Sequence, residues 1–105
     1  MRNINGSGPI VGREVVASAA AGVQDAWDEI VDTYAGWVWA VPRRHDLSRG
    51  DAVHVCQLTW MRLSDRIGDI APESLGGWLE RTAERECLRV VRLCRAGCQE
   101  EAQPA

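Results

Sequence analysis

Arg81, Arg85, Arg89, Arg92 and Arg95 recur at spacings of four, four, three and three residues near the C-terminal end of the chain. At about 100° per residue, these positions share an arc of roughly 120° on one side of a helix. Guanidinium groups stay charged at physiological pH and repel one another along such a row, so a phosphate-rich partner suits the pattern. Glu80 and Glu84 lie on one flank of the row and relieve only part of that repulsion, and the competing interpretation is a solvated charged face. Trp78 stands just before the row, at an angle between the two sides of the helix. An indole there can stack on a nucleobase or pack into a core.

The other chemistry-bearing residues form no comparable pattern. Cys87, Cys94 and Cys98 are spaced seven and four apart, without the close pairs separated by two residues that structural metal sites use. Core packing is the expected role of Cys56, Cys87 and Cys94. His45 and His54 lack neighbouring acids or cysteines arranged for catalysis, and no set of nucleophile, base and orienting group is present. The sequence therefore predicts no enzyme, no metal site and no cofactor. Two alternatives to nucleic-acid binding stay open: a thiol- or metal-responsive sensor switched by Cys94 and Cys98, and a helical interaction module that binds no DNA.

At 105 residues the chain suffices for one domain with a modest core. No apolar run approaches the roughly 20 residues needed to span a bilayer, and the N-terminus lacks the pattern of a secretory signal, so a cytoplasmic protein is expected. Net charge is −3 and lysine is absent, so contact with nucleic acid has to come from local clustering of arginine.

The elements that must position these residues follow from apolar spacing. Residues 1–22, with Gly6, Gly8, Pro9, Gly12 and the small-residue run 17–21, read as a flexible segment. A short helix from about Val15 is compatible with the alanines, but with little to bury. Val23, Trp27, Ile30, Val31, Tyr34, Val38 and Val41 predict a helix from near Val23 to about Arg44, its last turn loosened by Pro42. Ser48 as N-cap and Asp51 behind it open a second helix to about Ile67, whose inward face is Ala52, Cys56, Thr59, Trp60, Leu63 and Ile67. Leu58 and Met61 project from the opposite face among Asp51, His54, Gln57, Arg62 and Asp65, which suggests a protein-contact patch. Residues 68–77 read as a loop. The third helix opens either at about Glu73, behind Pro72, or after Gly77, and Gly97 is expected to end it. Leu79, Ala83, Glu86, Cys87, Val90 and Cys94 form its inward side, with Glu86 at the edge. The expected domain is thus an all-α bundle of three main helices over residues 23–96, with a flexible tail at 97–105.

At Asp51-Ala52, Gln57, Trp60 and Arg62-Leu63, the stretch DAVHVCQLTWMRL resembles the polymerase-binding helix of bacterial RNA polymerase sigma factors, whose usual pattern is DAEDxxQxxFxRL. APESLGGWLERTAERECLRVVR resembles the following segment of the extracytoplasmic-function group, and the tryptophans, Ile30, Val31, Tyr34 and Val38 between Trp27 and Trp39 are similar to that group's first helix. The resemblance spans about Asp25 to Arg95. His54, Val53 and Leu58 stand where the family commonly has acids, and Arg85 and Arg89 where it often has Asn and Asp.

The resemblance implies a domain that binds core RNA polymerase and recognises and melts the minus-ten promoter element. Asp51, His54, Gln57, Leu58, Met61 and Arg62 would dock on the clamp helices of the largest polymerase subunit, and Trp78, Arg81, Arg85, Arg89 and Arg92 would hold the non-template strand. An inhibitory anti-sigma factor is a further partner the family allows. The family's helix-turn-helix domain for the minus-thirty-five element has no counterpart in these residues, so that contact would fall to a longer parent chain or to a partner.

Overall fold

The computed structural model describes the backbone of residues 11–102 and the side chains of residues 11–93. Its helices are α1 (Arg13–Ala20), α2 (Gln24–Arg44), α3 (Arg49–Arg66) and α4 (Leu75–Ala102), with short 3-10 turns at Ile67–Asp69 and Pro72–Ser74. The described residues are all-α.

α2 forms where its apolar period requires, and buries Ala26, Ile30, Tyr34, Val38, Val41 and Pro42. Val23, expected on that stripe, is 47% exposed because it precedes the first turn. Pro42 is accommodated three positions from the helix end, and its carbonyl accepts from the backbone N–H groups of His45 and Leu47. α3 opens on Ser48, whose Oγ accepts from the Asp51 N–H at 3.1 Å. Its buried face is Ala52, Val55, Thr59 and Leu63. Cys56 and Trp60 are only half-buried, so the inward face is rotated slightly toward Val55.

The expectation of three helices needs a correction, because α1 is a fourth and part of the expected flexible segment is core. Val11, Val16 and Ala19 are buried against the cluster that holds Ile30 and Tyr34, as α1 packs on α2 and on the Ile67–Asp69 turn. Small side chains reveal little by hydrophobicity but let two helices approach closely, and that proximity supplies the burial. A left-handed residue closes α1. Gly22, at φ 95°, donates to the Ala19 carbonyl while Val23 donates to that of Ser18, which satisfies two terminal carbonyls. α2 ends the same way with Asp46 at φ 56° in the glycine position.

The loop expected at 68–77 is shorter than its glycines suggest. α4 starts at Leu75, behind the turn led by Pro72, and takes in both Gly76 and Gly77. A Cβ on Gly76 would overlap Cζ3 of Trp37 and lie 3.1 Å from Cη2, so the glycine lets the indole reach the helix backbone. That indole also stacks on Tyr34, with ring centroids 6.1 Å apart. Gly97 does not end α4, which continues to Ala102. An interior glycine weakens a helix by about 1 kcal/mol but keeps its hydrogen bonds. Residues 1–10 and 103–105 of the expected end segments lie outside the described residues.

α2, α3 and α4 pack pairwise around Ile30, Tyr34, Val38, Val55, Leu63, Leu75, Leu79, Ala83 and Cys87. That bundle fixes which sides of α3 and α4 face outward.

Candidate functional site

The arginine row is in place. Arg81, Arg85, Arg89 and Arg92 are all exposed on α4, and none takes part in an ion pair among the described residues. The Arg95 side chain lies outside the described residues. The acids flanking the row face other partners. Arg44 at the end of α2 places one Nη2 within 3.3 Å of Glu80 and 2.9 Å of Glu84, and His45 Nε2 lies 2.7 Å from the other Glu84 oxygen. The hydrogen bond to His45 holds the Glu84 carboxyl below its ordinary range against the opposing effect of burial, with a smaller contribution from the hydrogen bond of Arg44. Glu80 and Glu84, expected to relieve part of the repulsion along the row, pair instead with Arg44 and His45.

Trp78 is half-buried and packs on the core cluster. Its packing on the core is the role the structure shows.

On α3, Met61 is 63% exposed, and His54, Gln57 and Arg62 are also exposed. Leu58 is half-buried, less exposed than Met61, and lines a groove between α3 and α4. Asp51, His54 and Leu58 line one wall of that groove, Glu86, Arg89, Val90 and Leu93 the other, and its volume is about 320 Å³.

Glu86 is the residue that sequence reasoning underrated. It stands not at the edge of the core but inside it, 1% exposed, and Oε2 accepts from Arg62 Nε at 2.7 Å. Its second oxygen, Oε1, is buried without a partner among the described residues. A charge set among Ala83, Cys87 and Val90 on an inward face was the available signal, since a buried carboxylate requires a cation. Which cation was not readable, because Arg62 lies 24 positions away.

Cys87 is buried, and that burial, with smaller contributions from nearby negative groups, pushes its thiol up to about 11. Burial also raises the Cys56 thiol. Both are protonated at neutral pH and poor nucleophiles, which fits packing. The Cys94 and Cys98 side chains, on which a sensor would depend, lie outside the described residues. Among the described residues no three His, Cys, Asp or Glu side chains gather to hold a metal ion, and no helix is long and apolar enough to cross a membrane.

No family model, curated protein or solved structure matches the chain.

Proposed function

We propose that the chain is the polymerase-binding and promoter-melting domain of an extracytoplasmic-function sigma factor. One observation carries the reading: an exposed row of Arg81, Arg85, Arg89 and Arg92 whose flanking acids are engaged by Arg44 and His45. Uncompensated guanidinium groups at this spacing favour a polyanion, and the motif resemblance across α2, α3 and α4 names one. In this reading the outer face of α3, with Asp51, His54, Gln57, Leu58, Met61 and Arg62, docks on the clamp helices of core RNA polymerase. The arginines of α4 hold phosphates of the non-template minus-ten strand, and the half-buried Trp78 offers a base a surface to stack on. Phosphate contacts position the strand; residues 68–74 before α4 are left to select bases.

The test is binding of a single-stranded minus-ten oligonucleotide in the presence of core enzyme across a salt series. The logarithm of affinity should fall with the logarithm of salt by roughly 0.7 per phosphate neutralised, and Arg85→Ala with Arg89→Ala should flatten that slope by roughly 1.4. Unchanged affinity and slope in the double variant would reduce the row to a solvated face and leave a helical interaction module without DNA binding.

A further inference from the structure

The groove between α3 and α4 contains an acceptor without a donor. Glu86 is part of its α4 wall, Arg62 Nε occupies Oε2, and Oε1 is buried with no partner among the described residues. A buried carboxylate oxygen left in this state is costly. Arg89 lines the same groove but is exposed and makes no hydrogen bond to Oε1. Asp51 on the facing wall adds a second carboxylate, while Leu58, Val90 and Leu93 supply apolar surface. Leu93, 66% exposed, carries that apolar surface outward, where a docked protein would cover it and a small cation would not.

We infer that this groove receives a lysine or arginine side chain of the protein docked on α3. The cationic head donates to Glu86 Oε1, and the aliphatic stem lies along Leu58, Val90 and Leu93. The inference rests on the assignment of α3 to core RNA polymerase. It adds a chemical feature of the polymerase surface and extends the docking face from α3 onto α4.

The experiment measures affinity for core RNA polymerase with the full chain and three variants. Glu86→Gln retains an oxygen for Arg62 and turns an amide N–H toward the incoming cation, so affinity should fall about tenfold or more. Leu93→Lys, at an exposed position that leaves the fold intact, sets a competing cation at the mouth and should give a comparable loss. A folded Glu86→Gln variant that binds within about twofold of the parent would overturn the inference, because an internal water would then suffice for Oε1. Should Glu86→Gln fail to fold, unchanged binding by Leu93→Lys overturns it instead. Met61→Asp separates the two readings. If it weakens binding while both groove variants bind normally, docking on α3 stands and the groove is removed. If the parent chain itself does not bind polymerase, both readings fall.

Discussion

Three acids and four arginines of α4 meet opposite fates on one helix. Glu80 and Glu84 are joined to Arg44 and His45 of α2, and Glu86 to Arg62 of α3; Arg81, Arg85, Arg89 and Arg92 have no ionic partner among the described residues. Local partners were available, since Arg81 and Glu84, and Glu86 and Arg89, stand three apart on the same helix. Exposed pairs of that kind contribute only about 0.2–0.5 kcal/mol, whereas the buried carboxylate of Glu86 needs a cation from the neighbouring helix. Glu80, Glu84 and Glu86 are tied to neighbouring elements of the fold, whereas the four arginines are not. A formal count of charge along the helix would have cancelled the two sets.

The sharpest way to break this contrast is at Glu86. Arg62→Leu removes its cation and should destabilise the protein by about 3 kcal/mol, a melting-point loss of well over 10 °C for a chain this size, whereas Arg85→Ala should stay within about 0.5 kcal/mol. A melting curve for Arg62→Leu that overlays the parent would mean Glu86 is satisfied by another route. Adjacent glycines sharpen the inner and outer sides of the same helix. Gly76→Ala drives a methyl into Trp37 and should cost about 2 kcal/mol in urea denaturation. At Gly77 the nearest atom to a new Cβ is the mobile end of Arg81, 3.3 Å away, so Gly77→Ala should be neutral or stabilise by up to about 1 kcal/mol.

The smallest effect is electrostatic. The Glu84 carboxyl is held low by His45 and Arg44, so across its titration the unfolded chain binds more protons than the folded one, and stability rises with pH. Its contribution is full above the ordinary carboxylate range and is lost as pH falls through the depressed folded value. Glu84 is 38% exposed, so solvent screens the pair and the change should be slight. Comparing the acid limbs of the parent and Glu84→Gln stability profiles checks it: the variant's should be shallower, and identical limbs would remove the pair from the stability of the fold.

The long helices, the Ser48 cap and the exposed arginine face were legible in the sequence alone, because each depends on angles and spacings within one segment, and a period of 3.6 residues carries that information. Trp78 was legible only as a choice, being placed by its angle at the boundary of the two sides. Tertiary structure decided the rest. α1 joined the core because α2 and the Ile67–Asp69 turn offered a surface to its small residues, which show little hydrophobic signal by themselves. Leu58 is half-buried because α4 stands beside it. Glu80, Glu84 and Glu86 found partners 36, 39, 40 and 24 positions away in the chain. Such pairings follow from how helices cross, and helix crossing is set by packing across the whole core, a property that no local period encodes.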